Sequence, residues 1–102
     1  MYYNVATMLF SWDPEKAEQN VKKHGVSFDL AQTVFDDPLH LSLLDSKERS
    51  EERWITMGKS ADMKTLVIVH TYKEIVNGHE VIRIISARRA TRKEARQYEE
   101  GI

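Results

Sequence analysis

Basic side chains crowd into residues 83–96, where they could bind a polyanion. The group consists of Arg83, Arg88, Arg89, Arg92, Lys93 and Arg96, and Glu94 is the only acid among them. Net charge is −1, but it is unevenly spread. Residues 1–51 hold five basic and nine acidic residues, and residues 52–102 hold ten and seven. A solvated helix face would explain the same cluster without any ligand.

His24 stands at the end of a predicted helix, directly after Lys22 and Lys23. The helix macrodipole favours a cation at this position, so His24 and Lys23 are candidates for proton transfer. A basic run is also an ordinary signal of a helix C-terminus. Arg53 begins a predicted strand and is a further candidate, although an ion pair with a neighbouring acid such as Glu52 would explain it.

These residue types suit cleavage of RNA without a metal ion. The 2′-hydroxyl must lose a proton, the leaving 5′-oxygen must gain one, and the phosphorane between them carries extra negative charge. His or Lys can move the protons, and Arg forks bind the charged oxygens. Tyr98 could donate a hydrogen bond or stack on a base. The alternative for Tyr98 is core packing with a solvated hydroxyl, and Glu94 is explained by its place in a capping box.

Arg83 lies inside an apolar strand, where an unpaired guanidinium would be costly. We therefore expect it to meet a carboxylate or to hold an anion in a cleft. Arg88 has the opposite strand parity, so an ideal strand would put the two arginines on different faces. A bulge or the strand's end near Ser86 would remove that conflict.

Composition excludes several kinds of site. The sequence has no cysteine, so disulfides, thiolate metal sites and a cysteine nucleophile are excluded. The histidines at 24, 40, 70 and 79 lack the close helical spacing of a zinc site. No apolar run approaches a membrane span and no signal peptide opens the chain. We expect a cytoplasmic protein that needs no metal or cofactor.

The elements that must position these residues form an α+β order. Asp13-Pro14 and Gly25 bound a first helix, and Ser27 caps a second that ends at Asp36-Asp37-Pro38. Thr91-Arg92-Lys93-Glu94 is a capping box that opens the last helix. Strands are predicted at 8–12, 39–44, 53–58, 65–72 and 80–87, with Asn77-Gly78 as a hairpin turn.

The 102 residues are expected to form a single domain over residues 8–102. The strand at 65–72 is apolar on both faces and should be central. An antiparallel meander with segregated helices is the predicted architecture. Residues 1–7 show no pattern and are expected to be a disordered extension.

Two long motifs carry a resemblance to a known family. The first is Trp12-Asp13-Pro14-x-Lys16-Ala17-x-x-Asn20-x-x-Lys23-His24-Gly25-Val26-Ser27-Phe28, and the second is Arg83-Ile84-Ile85-Ser86-Ala87-Arg88-Arg89-Ala90-Thr91-x-x-Glu94-x-x-x-Tyr98. Asp37-Pro38, Glu52-Arg53 and Met57-Gly58 fall between them in the expected order. This pattern, over about residues 9–98, resembles the BrnT toxins. Two ordered motifs of this length are far more specific than either alone.

The resemblance implies a RelE-like fold and a ribonuclease toxin of a type II toxin–antitoxin system that blocks translation. It implies a BrnA-like antitoxin with a ribbon-helix-helix domain, and operator DNA as a partner of the complex only. By position, it gives Lys23, His24, Arg53, Arg83, Arg88 and Tyr98 as functional residues. Arg89, Arg92, Lys93 and Arg96 are added as candidate phosphate-binding residues from the basic cluster. The segment from Tyr72 to Glu80, longer than in the family, and His70 in a strand depart from the pattern.

A second hypothesis is a non-catalytic module that pairs with a DNA-binding antitoxin and acts in regulation of its own operon. No Asp or Glu in the sequence stands out as a general base, which favours this alternative. The two hypotheses differ in one observable, because only the first predicts that the purified protein cleaves RNA.

Overall fold

The computed structural model describes residues 8–46 and 52–101. Within them the chain forms three α-helices, one 3-10 helix and five strands. In chain order these are β1 (Met8–Ser11), α1 (Pro14–His24), α2 (Phe28–Ala31), a 3-10 helix (Gln32–Asp36), β2 (Leu41–Ser46), β3 (Arg53–Lys59), β4 (Thr65–Val76), β5 (His79–Arg89) and α3 (Arg92–Glu100). The predicted extension at residues 1–7 lies outside the described residues.

The helix boundaries follow the capping residues of the sequence. The Asp13 side chain accepts a hydrogen bond from the Glu15 amide, and Gly25 ends α1 at φ +70°. Ser27 caps α2 through the Leu30 amide. Thr91 and Glu94 form the predicted capping box at the start of α3. These local predictions are confirmed.

The second helix is shorter than predicted, because α2 passes into the 3-10 helix after Ala31. The β-branched residues Thr33 and Val34 lie in that segment, and such residues favour α-helix less than unbranched ones. Phe28, Ala31, Val34 and Phe35 are buried.

The strands form one mixed sheet with the order β1-β5-β4-β3-β2. Strands β2 to β5 make the predicted antiparallel meander, with β4 in the centre, and β1 pairs with β5 in parallel. The sequence predicted β1 but not the strand with which it pairs. The segment from Tyr72 to Glu80, which departs from the family pattern, is mostly strand, since β4 reaches Val76 and β5 begins at His79. Asn77 and Gly78, at φ +51° and +81°, form the turn between them.

The core lies between the sheet and the first two helices. Phe28 and Val34 pack against Leu66, Ile68 and Ile82, all of which are nearly inaccessible to solvent. Trp12 packs on this core and meets Phe28 edge-on, with ring centroids 5.8 Å apart. We call this side of the sheet the covered face. The opposite side, which α1 and α2 leave uncovered, is the open face.

Candidate functional site

A β-bulge in β5 decides where the arginines of that strand lie. Val69 of β4 pairs with Ser86, whereas the next residue, His70, pairs with Ile84. Ile85 is therefore an extra residue on β5 with no opposite partner. An inserted residue reverses the alternation of faces beyond it.

The bulge puts Arg83 and Arg88 on the same face. Arg83 pairs with Thr71 and Arg88 pairs with Val67, and Thr71 and Val67 are four residues apart on β4. Residues separated by an even number on a strand point to the same side of the sheet. The parity conflict in the sequence is thus removed by the bulge at Ile85, and both side chains belong to the open face.

Arg53 joins this face from the other side of β4. Trp54 pairs with His70, so the register places Arg53 beside Thr71. Arg53 and Arg83 therefore flank Thr71, with about 10 Å between their Cα atoms, which is two strand spacings. Ser11 of β1 pairs with Arg83 and continues the same row. The row therefore places two arginines on the same side of the sheet.

Lys23 and His24 reach the same strand at its edge. A surface cavity of about 260 Å³ separates the last turns of α1 from β5. The residues that line this edge cavity are Lys16, Gln19, Asn20, Lys23, His24, Ile85 and Ser86. Ser86 stands between Arg83 and Arg88 on the strand. The edge cavity therefore connects the basic end of α1 with the open-face arginines.

Asn20 fixes α1 to this edge. β1 pairs with β5 only as far as Arg83, so the backbone beyond that point needs other partners. The buried Asn20 side chain donates to the Ala87 carbonyl at 2.8 Å and accepts from the Ala87 amide at 3.2 Å. It also donates to the Val26 carbonyl at 2.8 Å. Sequence reasoning gave Asn20 no role beyond its place in the first motif.

Arg88 is held by a carboxylate. Its guanidinium donates to both oxygens of Glu94, at 2.8 and 2.9 Å. These hydrogen bonds, with the Thr91 amide, lower the pKa of Glu94 to about 2 despite its partial burial. Glu94 also raises the pKa of Arg88. The pair orients Arg88 and compensates its charge, so Glu94 acts on the candidate site as well as capping α3.

Tyr98 lies at the opposite end of β3 from Arg53. Its hydroxyl donates to Asp37 Oδ2 at 2.5 Å, and burial together with this carboxylate raises the pKa of Tyr98 to about 12. Lys59, whose amide also donates to Asp37, is six positions after Arg53 on β3, a span of about 20 Å. The structure therefore separates Tyr98 from Arg53, whereas Glu94, the partner of Arg88, lies one turn before Tyr98 on α3.

The Asp37 carboxylate accepts hydrogen bonds from three groups, and sequence reasoning gave it no chemical role. Burial raises the pKa of Asp37, but hydrogen bonds from the Lys59 amide, Tyr98 and the Leu39 amide outweigh burial and hold it below its usual value. Gly58 lets Asp37 approach β3. A Cβ at Gly58 would lie 2.9 Å from Val34 Cγ1 and 3.1 Å from Asp37 Oδ2. This close approach gives a structural reason for Met57-Gly58 in the motif pattern.

The remaining basic candidates lie at and after the end of β5. Arg89 ends the strand, and Arg92, Lys93 and Arg96 are exposed on α3. They extend positive charge away from Arg88 along the helix. This placement suits contacts to a nucleic-acid backbone better than proton transfer, because exposed cations position phosphates.

His70 belongs to the covered face and is separate from the arginines. Its Nε2 lies 2.6 Å from Thr56 Oγ1, which in turn lies 2.7 Å from Ser42 Oγ. Its Nδ1 is buried without a hydrogen-bond partner. Burial lowers the pKa of His70 to about 4, so the ring is neutral at pH 7. The histidine that departed from the family pattern is thus a core residue of the sheet.

Metal and membrane sites were sought among residues 8–46 and 52–101. No group of three or more His, Asp and Glu side chains there could hold a metal ion. None of the helices in this part of the chain is long and apolar enough to cross a membrane.

Comparison with known proteins gives two findings. Residues 12–94 match the family model described as the ribonuclease toxin, BrnT, of type II toxin–antitoxin systems. The fold is similar to the crystal structure of the Brucella abortus ribonuclease toxin, BrnT, with a TM-score of 0.61 and 20% sequence identity. That match covers 84% of this chain and 100% of the other. A search of curated proteins finds no match.

Proposed function

Because the chain belongs to the family of BrnT ribonuclease toxins of type II toxin–antitoxin systems, we propose that it is an endoribonuclease that cleaves RNA without a metal ion and thereby blocks translation. Membership of the family implies an antitoxin partner. We further propose that this partner is a BrnA-like ribbon-helix-helix protein, through which the complex reaches operator DNA. The proposed place of action is the cytoplasm.

The bulge at Ile85 is the observation that carries the proposal. It gives Arg83 and Arg88 one face, and Ser86 between them borders the edge cavity with Lys23 and His24. Arginines that can bind phosphate and side chains that can transfer protons therefore lie close to the same strand, β5. Clustered guanidinium and ammonium groups repel a divalent cation and supply its charge themselves, which supports metal-free cleavage.

We assign the steps by residue type and position. Arg83 and Arg53 bind the phosphates on either side of Thr71, and Arg88, oriented by Glu94, binds the equatorial oxygens of the phosphorane. His24 and Lys23 share the two proton transfers, one from the 2′-hydroxyl and one to the departing 5′-oxygen. The new bond joins the 2′-oxygen to phosphorus as the bond to the 5′-oxygen breaks. The products are a 2′,3′-cyclic phosphate and a 5′-hydroxyl.

Arg89, Arg92, Lys93 and Arg96 extend the proposed RNA path along α3. A direct part for Tyr98 in cleavage stays a prediction from the family resemblance. Its hydrogen bond to Asp37 supports a positioning role instead, since it holds the end of α3 whose first turn carries Glu94. The RelE-like architecture is likewise a proposal, which the order of two helices, an antiparallel meander and a last helix supports.

The test is cleavage of a structured RNA by the free protein in EDTA. Arg83→Ala should lower the rate by about 10²-fold, a loss that can follow when a group that positions the substrate is removed. Lys64→Ala, which removes an exposed cation from the β3–β4 turn, should leave the rate unchanged. The wild-type fragments should end in 2′,3′-cyclic phosphate.

Folded wild-type protein that leaves RNA intact, alone and with ribosomes, would contradict the enzyme and favour a non-catalytic module that pairs with the antitoxin. Equal cleavage by Arg83→Ala and wild type would keep the enzyme but remove Arg83 from its site. Inhibition by EDTA would contradict metal-free chemistry.

A further inference from the structure

Thr71 is a buried residue of β4 whose hydroxyl group has no hydrogen bond. It is 2% exposed, and its Oγ1 has no hydrogen-bond partner among the residues that the structure describes. A buried polar group without a partner is costly, and most buried side-chain polar atoms in folded proteins have one. The proposed cleavage steps give Thr71 no role, so its hydroxyl needs a separate explanation.

The neighbours of Thr71 on the open face lack the group that its hydroxyl needs. Arg83 pairs with Thr71 on one side, and Arg53 lies beside it on the other. A guanidinium group has N–H donors and no acceptor. Val69, two residues earlier on the same face, has neither a donor nor an acceptor in its side chain. These flanking side chains therefore offer the Thr71 hydrogen no acceptor, and a bound molecule can supply one.

The charge of the two flanking residues selects the kind of acceptor. Two guanidinium groups around a neutral hydroxyl favour an oxygen that carries negative charge. Hydrogen bonds to a charged acceptor are also stronger than those between neutral groups. A phosphate oxygen meets both requirements, because it can accept from the hydroxyl and from a guanidinium at the same time.

We propose that Thr71 is a phosphate-binding residue, whose hydroxyl donates a hydrogen bond to an oxygen of the RNA phosphate bound by Arg83. Arg83 is half-buried, whereas Arg53 is exposed, so a phosphate at Arg83 lies nearer to a buried hydroxyl. This assignment rests on the proposed function, because it adds a neutral donor to one phosphate subsite of that ribonuclease.

The unpartnered hydroxyl should lower the stability of the free protein. Valine has the shape of threonine with a methyl group in place of the hydroxyl. Thr71→Val removes the unsatisfied group, so in urea unfolding the variant should be at least as stable as the wild type. A less stable variant would show that the hydroxyl has a partner within the protein, and the reason for a ligand at Thr71 would be lost.

The binding experiment measures the dissociation constant for a short 2′-fluoro RNA by fluorescence anisotropy. This probe keeps the phosphates but has no 2′-hydroxyl, so the proposed cleavage cannot occur during the measurement. Thr71→Val should weaken binding about tenfold, as expected for loss of a hydrogen bond to a charged group. Thr71→Ser, which keeps a hydroxyl, should restore most of the affinity.

Thr65→Val is the matched control for the same substitution. Thr65 lies on the same face of β4, six residues before Thr71 and therefore about 20 Å away. Thr65→Val should bind the probe as the wild type does. An equal loss of affinity in both valine variants would contradict a specific role for Thr71.

Salt dependence separates a direct contact from a displaced arginine. Thr71 carries no charge, so Thr71→Val should leave the slope of log Kd against log salt concentration unchanged. Arg83→Ala should reduce that slope by about 0.7, the value for one phosphate contact on a single strand. The same reduction in Thr71→Val would show that valine acts by moving Arg83, and would overturn the direct hydrogen bond.

The remaining outcomes distinguish the phosphate site from the ribonuclease. Equal affinity of Thr71→Val and wild type, or no binding of the probe by the wild type, would overturn the phosphate site. If RNA cleavage persisted alongside either result, the ribonuclease would stand without Thr71. A wild type that binds the probe more tightly than Thr71→Val, but leaves unmodified RNA intact, would keep the phosphate site and contradict the ribonuclease.

Discussion

The two faces of the sheet are built from alternating residues of the same strands, yet the titratable side chains on them have different environments. On the covered face, His70 is neutral and buried among Phe35, Thr56 and aliphatic side chains. On the open face, Arg88 is paired with Glu94, and Arg83 lies on the same side of the sheet. Burial favours the uncharged form of a side chain, whereas guanidinium groups that remain partly exposed can bind phosphate. The stability of the protein thus depends mainly on one face, and its proposed chemistry on the other.

Adjacent residues of β5 offer the sharpest test of this division. Arg83→Ala should abolish most cleavage but lower the free energy of unfolding by no more than about 1 kcal/mol, because Arg83 is only half-buried and lies outside the core. Ile82→Ala, on the covered face, should lower the free energy of unfolding by about 2–5 kcal/mol because it opens a cavity in the core. Its rate per folded molecule should remain near that of the wild type. Urea unfolding and RNA cleavage should be measured on both variants. If Arg83→Ala also lost stability, or Ile82→Ala also lost cleavage per folded molecule, the two faces would not have separate roles.

The neutrality of His70 should make the covered face sensitive to pH. Its pKa is about 4 in the folded protein and about 6.5 in an unfolded chain. Between these values the unfolded state binds a proton that the folded state does not, so stability falls as pH falls from about 6.5 to 4. The loss attributable to His70 is about 3 kcal/mol across that window.

NMR titration of the imidazole carbons measures this directly. The His70 resonances should stay in the neutral position above about pH 5 in the folded protein. A titration midpoint near the ordinary value for histidine would show that the ring can accept a proton without leaving the core, and would remove the contrast with the open face.

Asn20 fixes α1 to the edge of β5, and its substitution should give the smallest of the three effects. Asn20→Ala would leave the amide and carbonyl of Ala87 without side-chain partners. We expect a loss of about 1–3 kcal/mol of unfolding free energy, the cost of unsatisfied buried groups. Cleavage should also fall, because α1 carries Lys23 and His24 to the edge cavity. Glu18→Ala, two residues earlier, exposed and outside the edge cavity, is the control, and an equal loss of cleavage in both variants would separate Asn20 from the site.

Local signals predicted much of the fold. The Asp13-Pro14 start, the Gly25 end, the Thr91–Glu94 capping box and the Asn77-Gly78 turn each depend on residues a few positions apart, and the structure places all of them as predicted. The family resemblance located the candidate residues in sequence, and the family is confirmed. The roles of those residues remain predictions.

Other features depended on contacts between distant segments. Asp37 meets Tyr98 across 61 residues of chain, and neither residue alone indicates the other as its partner. An apolar surface groove, whose lining includes Leu43, Ile55 and Gln97, forms only where β2, β3, β4 and α3 come together. Sequence periodicity identified apolar strands there but gave no means of knowing that Leu43 would remain exposed.

The sequence by itself determined the elements, their order and the clustering of basic residues, because capping, turn formation and hydrophobic periodicity act over a few residues. Only the tertiary structure decided that Ile85 is an extra residue in β5, that Asn20 closes the strand edge where β1 ends, and that His70 is neutral. Strand register is a relation between two strands, and burial is a relation to the whole core. The face on which Arg88 lies, and with it the candidate site, follows from these relations and not from the residues around Arg88.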